Sequence, residues 1–227
     1  FADHPTMSFA EKKYASMVKM LDDHVGLILD ELKSLGMDDN TIVLFASDNG
    51  HELYYGPKPN YRKQQLSGGE PANLTDKQWR TREQGDVFDG AGGRAGLKRS
   101  AYQGGMQCPL IVRWPGKVPA GRASDAIFAT IDVLPTLATL CGFHVPDDRL
   151  IDGIDQTDLL IGKREAGREH FYFHDAGIRQ GNWKLLKANA LFYGYAVEEH
   201  PEKVTELKSL MRSIEGNDKL DPADNAR

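Results

Sequence analysis

Cysteine is nearly missing from this chain: 227 residues hold two, Cys108 and Cys141. Two thiols make neither a disulfide scaffold nor a Cys-x-x-Cys metal knuckle. One bridge is the most they allow. Both stand in apolar sequence, and the expectation is two buried free thiols. Long hydrophobic runs are also missing, and nothing approaches the ~18 consecutive apolar residues of a membrane span. Excess basic charge is missing too. Lys and Arg number 28 against 33 Asp and Glu, a formal net charge of -5, which argues against nucleic acid as a partner. No segment repeats. The first residues, Phe1-Ala2-Asp3-His4-Pro5, show no initiator Met, basic stretch or apolar stretch of a secretion signal. They read as the start of a mature product or of a piece of something longer.

What is present suffices for a core. Apolar residues make up 40% and charged residues 27%, which excludes wholesale disorder. The length corresponds to ~1.5 domains at ~150 residues each.

Residues 8–35 carry the strongest periodic signal. Tyr14, Val18, Leu21, Val25, Ile28, Leu32 and Leu35 recur at steps of four and three, one apolar stripe of a helix packed on a sheet. Ser8 and Glu11 match a capping box, and Gly36 is placed for a left-handed cap. After a turn at Asp38, Asp39 and Asn40, residues 41–46 (Thr-Ile-Val-Leu-Phe-Ala) predict a strand covered on both faces, as in a parallel sheet flanked by helices. Polar residues Ser47, Asp48, Asn49, Gly50 and His51 follow at its carboxyl end, where open α/β sheets bind ligands.

From 51 to 97 no convincing period appears, apart from a short helix expected near 75–82. A loop of that length is functional or disordered. Its Tyr54, Tyr55, Tyr61 and Trp79 suit a binding wall. Residues 108–114 predict a second core strand, and a helix is expected to start near Asp132 with Pro135 in its first turn and Gly142 beyond its end. In the final third, 170–174 predict a strand, 176–180 and 183–187 a hairpin turning at Gly181-Asn182, and 201–214 a helix. Its apolar face holds Val204, Leu207, Leu210, Met211 and Ile214, and a polar tail follows from 217.

Two places carry chemistry. Asp48 and Asn49 offer a carboxylate and a carboxamide oxygen, hard donors that suit Ca²⁺, with Mg²⁺ second, better than Zn²⁺. Asp-Asn-Gly is also a common turn; its position after a buried strand is what favours the ligand reading. Lys98 can set a compact positive charge against an anion, although most lysines are simply solvated.

These pieces form an ordered series: 14–18 and 21–26 in the first helix, Ser47-Asp48-Asn49-Gly50, Gly96-Leu97-Lys98 with Gly104-Gly105, 109–116 (Pro-Leu-Ile-Val-Arg-Trp-Pro-Gly), Asp132-Val133-Leu134-Pro135-Thr136, Gly153-Ile154-Asp155, and Gly181-Asn182-Trp183-Lys184-Leu185. Each motif is weak alone. In this order, from about Tyr14 to about Ile214, they resemble the type I sulfatases (arylsulfatases) of the alkaline-phosphatase-like fold.

The resemblance implies an α/β fold with a mixed or parallel sheet flanked by helices, then a small antiparallel sheet with a carboxyl-terminal helix. The division implied is 1–165, part of the α/β domain with 51–97 as its active-site loop, and 166–227, the small subdomain. It implies hydrolysis of sulfate esters, aryl or carbohydrate, by a formylglycine nucleophile beside Ca²⁺. Asp48 and Asn49 would be metal ligands and Lys98 the catalytic, sulfate-contacting residue. His51 would face the substrate. Export to a periplasmic, extracellular or secretory compartment follows from family habit.

The chain departs from the pattern in two ways. Gln103 stands where an acidic residue usually precedes Gly104-Gly105. The nucleophile signature Cys/Ser-x-Pro/Ala-x-Arg occurs nowhere, and Cys108 and Cys141 do not fit it. The acidic pair that completes the family's metal site has no counterpart either. The expectation is a carboxyl-terminal portion of a sulfatase, partnered by the missing amino-terminal half and inactive alone. Two alternatives stand beside it: a phosphodiesterase or phosphonate hydrolase of the same superfamily, against which Asn49 argues because Asp-His is common there, and a non-catalytic carbohydrate-binding module built on the loop aromatics.

Overall fold

The computed structural model describes residues 1–52, 87–94, 96–98, 101–173, 177–186 and 201–217. The helix expected near 75–82, the loop aromatics Tyr54, Tyr55, Tyr61 and Trp79, acidic Asp86 and the tail from 218 lie outside the described residues. The chain divides into two compact units, Phe1–Gly116 and Lys117–Arg227. The boundary read from sequence at residue 165 lies inside the second.

In the first unit, helix α1 spans Phe9–Ser34. Ser8 caps it as expected: its Oγ accepts from the Glu11 amide at 3.3 Å, and Glu11 Oε2 accepts from the Ser8 amide at 2.5 Å. At the other end the chain turns left-handed at Gly36 (φ 66°), with the Gly36 amide donating to Lys33 O and the Met37 amide to Leu32 O. That double closure uses up carbonyls the helix leaves open, and only glycine takes such a φ without strain.

The stripe on α1 is not buried as one face. Glu11 and Ala15 are buried and Tyr14, Val25 and Leu32 half-buried, whereas Val18, Leu21, Ile28 and Leu35 are about half exposed or more. Periodicity reports which side of a helix prefers to leave water, not whether a neighbour stands there along its whole length.

Strands β1 (Val43–Ala46) and β2 (Leu110–Arg113) pair antiparallel, with Val43 opposite Arg113 and Ala46 opposite Leu110. The run at 41–46 was expected in a sheet of parallel type covered on both faces; among the described residues its sheet is two-stranded and antiparallel, and β1 is half-buried at Val43, Leu44 and Phe45 and exposed at Ala46. An apolar run without alternation signals preference for burial and carries no direction. Arg113 fixes the pair's outer end by a bidentate contact to Asp38 at 2.7 and 2.9 Å, and Trp114 Nε1 donates to Asp39 O. The Arg113 contact holds the Asp38 carboxyl below the usual range. Between the strands lies a one-turn helix α2 (Gln103–Met106), which the sequence did not announce because two of its four residues are glycine.

In the second unit, a 3₁₀ turn at Thr130–Asp132 leads into α3 (Val133–Leu140), the start and Pro placement expected. Cys141 follows at its carboxyl end and is exposed, while Cys108 is only partly buried; both are free. The expectation of two buried thiols therefore fails at Cys141, which stands past the helix end rather than on its packed face. Asp132 is fully buried and holds the unit together. Its carboxylate accepts from the amides of Ala129 and Ile154, from Gln156 Nε2 and from Arg168 Nε, at 2.7–2.9 Å. Burial alone would raise this carboxyl's pKa; the Arg168 contact and the converging donors more than offset it, and it lies below the ordinary range. Gly153 passes so close that a Cβ would sit 2.1 Å from Ile131 O. The short helix α4 (Thr157–Leu160) follows.

The end of the chain forms a three-stranded antiparallel sheet in the order β3 (His170–Tyr172), β4 (Gly177–Gln180), β5 (Trp183–Leu186), with Gly181 at φ 53° in the hairpin turn. Helix α5 (Pro201–Asn217) lays Leu207 and Met211 on the fully buried Ile178 of β4, flanked by Tyr172, Leu185, Leu210 and Ile214. Burying each large side chain stabilises by about 1.5–3 kcal/mol, which accounts for a sheet too small to stand alone.

Candidate active site

The site is built where β1 ends. Strand geometry carries the backbone outward through Ser47, Asp48 and Asn49 to Gly50, which is buried. The Gly50 amide donates to Gly105 O at 2.9 Å. A Cβ on Gly50 would lie 2.1 Å from Gly104 O and 2.5 Å from Gly105 Cα, both backbone atoms. The glycines of the two motifs are thus a packing requirement: one backbone lies directly on the other. Next along, the Lys98 amide donates to His51 O at 2.7 Å. These two backbone contacts join Asp48-Asn49-Gly50-His51 to Lys98 and to Gly104-Gly105, segments fifty residues apart in sequence.

A cavity of about 750 Å³ opens over this junction, within the range of small-ligand sites. Asn49, His51 and Lys98 line it, as do Tyr14, Phe88, Arg94, Gln107 and Cys108. Asp48 does not line it; it stands exposed at the strand end, near enough to Cys108 for its charge to be felt there. Burial first, and that negative charge second, push the Cys108 thiol up. Cys108 is therefore held protonated, the opposite of what an activated nucleophile requires.

His51 is held between neighbours. Its ring makes an edge contact with Tyr14 at 6.1 Å and occupies the space where a Cβ on Gly90 would fall, 2.4 Å from the ring. Tyr14 also meets Phe88, with centroids 5.6 Å apart. Asn49 Nδ2 donates to Gly50 O at 3.1 Å, and Ser47 Oγ to Asn49 O at 2.8 Å, so the amide's orientation is set from within the turn. Gln103 Nε2 donates to Gln107 Oε1 at 3.0 Å.

As a metal site the donor set is partial. Asp48 and Asn49 supply hard oxygens, and among the described residues no hydrogen bond or ion pair occupies the Asp48 carboxylate. No group of three or more His, Cys, Asp or Glu suited to a metal occurs among the described residues. Two such oxygens fit Ca²⁺ as part of its 6–8 oxygen shell.

Comparison with known proteins shows the family to which the chain belongs. Residues 10–143, more than half of the chain, match the Sulfatase family model. The chain belongs to the sulfatase family. Among the chain's curated relatives, N-acetylgalactosamine-6-sulfatase of Sus scrofa is 32% identical over 192 residues, covering 85% of the chain and 31% of that protein. N-acetylgalactosamine-6-O-sulfatase of Bacteroides thetaiotaomicron is 28% identical, covering 87% of the chain and 41% of that protein. A solved structure described in terms of glycosaminoglycan metabolism by the same bacterium superposes with a TM-score of 0.60 at 27% identity, covering 86% of the chain and 42% of its own. These establish the alkaline-phosphatase-like α/β fold of sulfatases. The chain spans between about a quarter and two-fifths of the length of the curated relatives it matches.

The sequence named Asn49, His51 and Lys98, which the fold brings to one cavity, and Asp48, which is exposed and outside its lining. It missed Tyr14, which reads as one member of a core stripe, and Arg94 and Gln107, which carry no periodic signal. The glycines at 90, 92 and 93 were the available hint that the backbone there approaches something closely.

Proposed function

We propose that this sulfatase chain supplies part of the active site of an enzyme that hydrolyses sulfate esters of carbohydrates. The junction of Asn49, Gly50 and His51 with Lys98 over one cavity, with Asp48 next in the chain, carries this reading. Asp48 and Asn49 would hold Ca²⁺, whose charge stabilises the negative sulfuryl group during transfer. Lys98 sets a fixed ammonium against the same anion; among the described residues no acid pairs with it, so its charge is available for charge developing in the transition state. His51, wedged against Gly90 and Tyr14, cannot swing away and presents its ring to the substrate. Gly50 and Gly105 lock the two charged segments in register. The names of the relatives, which include N-acetylgalactosamine 6-sulfatases, support a sulfated aminosugar as substrate class.

The nucleophile does not come from Cys108 or Cys141, and the formylglycine of the family would belong to a partner segment, the amino-terminal half expected from sequence. On this reading residues 1–165 belong to the catalytic α/β domain and 166–227 to a small subdomain, and the enzyme works in an exported compartment. No helix among the described residues is long and apolar enough to cross a membrane.

The test is an assay of the purified 227-residue chain and of the complete enzyme against N-acetylgalactosamine 6-sulfate and an aryl sulfate. Turnover is expected from the complete enzyme and none from the chain alone. Calorimetry on the chain is expected to give millimolar or weaker Ca²⁺ affinity, because two protein oxygens leave most of the shell to water. Turnover by the chain itself, or micromolar Ca²⁺ binding lost in Asp48→Ala, would refute the partial-site reading and point to Glu52, Asp86 or Asp89 as further ligands.

A further inference from the structure

One cation in the cavity has no part in the chemistry above. Arg94 lines the same space as Lys98, and its guanidinium is seated with care. Nε donates to Gln107 Oε1 at 2.9 Å and Nη1 to Ala91 O at 3.3 Å. Beneath it, Gly92 turns left-handed at φ 59°, and a Cβ there would lie 2.7 Å from Nη1. Any other residue at 92 would suffer backbone strain and would push on the guanidinium. The loop that carries it is closed on itself: Asp89, also left-handed at φ 47°, accepts from the Gly92 amide through its carbonyl and from the Gly93 amide through Oδ1. The Asp89 carboxylate is turned to the loop's own backbone, with no ion pair to Arg94. Both partners of the guanidinium are neutral acceptors, and among the described residues no carboxylate pairs with it. The result is an oriented, exposed, un-neutralised fork at the wall of a cavity.

We propose that Arg94 is a specificity-determining residue that binds a second oxyanion of the substrate, a carboxylate or a further sulfate on the sugar, while Lys98 engages the sulfate that is cleaved. This rests on the sulfatase reading and extends it. A guanidinium matches a planar or tetrahedral oxyanion with two parallel N–H···O bonds, which an ammonium does not. Holding Nε and one edge by neutral groups fixes the plane of the fork without cancelling its charge, so little order is lost when an anion arrives. A purely structural role would cross-link the 89–94 loop to Gln107. That role needs the hydrogen bonds and is indifferent to the substrate's charge.

The experiment compares two esters in the complete enzyme: 4-nitrophenyl sulfate, with one anionic group, and a sulfated disaccharide that also carries a uronic acid carboxylate. Arg94→Ala is expected to lower kcat/KM on the disaccharide at least tenfold more than on the aryl sulfate, mainly through KM. Arg94→Lys, which keeps charge and loses the fork, is expected to fall between. Gln107→Ala should reproduce part of the effect by releasing Nε. Equal losses on both esters, or no loss on either, would overturn the proposal. If the wild-type enzyme turns over neither ester, the sulfatase reading fails, and calorimetric binding of the same disaccharide then decides Arg94. Weaker binding by Arg94→Ala supports it, and unchanged binding, or none by the wild type, refutes it.

Discussion

Two aspartates, one in each unit, show how differently the same side chain can be used. Asp132 is fully buried and surrounded by donors from Ala129, Ile154, Gln156 and Arg168. Asp48 is exposed at the end of β1, and among the described residues nothing bonds to its carboxylate. A buried charge survives only when every lone pair is engaged, so Asp132 has nothing left to offer a ligand. An unengaged carboxylate at a strand end contributes little to folding and keeps its charge for something else. The same contrast separates Arg168, locked to Asp132, from Arg94, held by neutral groups. The motif around Asp132 is therefore explained by packing, and the carboxylate of Asp48 is not.

Swapping the two carboxylates for alanine is the sharpest break of this contrast. Asp132→Ala is expected to destabilise the second unit by about 3–5 kcal/mol, because the part-buried Arg168 loses its partner and the donors around position 132 lose their acceptor. Denaturant unfolding followed by near-ultraviolet dichroism measures it. Asp48→Ala should cost less than about 0.5 kcal/mol; a large loss of stability there would mean that Asp48 is structural after all. In activity the order reverses. Lys98→Ala and Asp48→Ala in the complete enzyme are each expected to lower kcat by about 10²–10³-fold, the scale of removing one preorganised charge-stabilising group. Thermal midpoints should stay near the wild type. A Lys98 variant with full activity would take Lys98 out of the site.

Gly50→Ala probes what joins the charged segments. The new methyl meets backbone of Gly104 and Gly105 that cannot rotate away, so a cost of about 1–3 kcal/mol is expected from overpacking, with activity lost beyond what the stability change explains. A variant that keeps both properties would show that the junction is looser than drawn.

The smallest effect belongs to Lys184 in β5, within the second unit. Burial first, and the nearby charge of Arg179 next, push its pKa down to about 7; its Nζ stands 4.3 Å from the Phe173 ring centroid. Unfolded, the amine returns to its ordinary range. Between pH 7 and about 10 the unfolded chain therefore binds more protons, and stability rises with pH across that window. Unfolding midpoints measured from pH 6.5 to 9 should climb, and Lys184→Met should flatten the slope. An unchanged slope in the variant would assign the dependence elsewhere.

Much of this was legible beforehand because it rests on local rules. The Ser8–Glu11 box, the stop at Gly36, the start of α3 at Asp132 and the Gly181-Asn182 hairpin depend on a few adjacent residues and their allowed dihedrals. Burial was less legible. The α1 stripe and the thiol of Cys141 were expected inside and stand largely in water, since apolar pattern states a preference and the neighbours decide the outcome. For the site, the polar residues after the first core strand named Asp48, Asn49 and His51, and the segment before the second core strand named Lys98. Arg94 escaped notice because its meaning lies in contacts with Ala91, Gly92 and Gln107, none of which follows from spacing.

By itself, then, the amino-acid order determined the family, the hard-oxygen character of Asp48 and Asn49, and the elements whose hydrogen bonds close within a few residues. The tertiary structure alone decided which charges are spent. A carboxylate's chemistry is identical at 48 and 132 until donors such as Ile154, Gln156 and Arg168, 22 to 36 residues away in the chain, either reach it or do not, and only folding brings those donors within hydrogen-bonding distance.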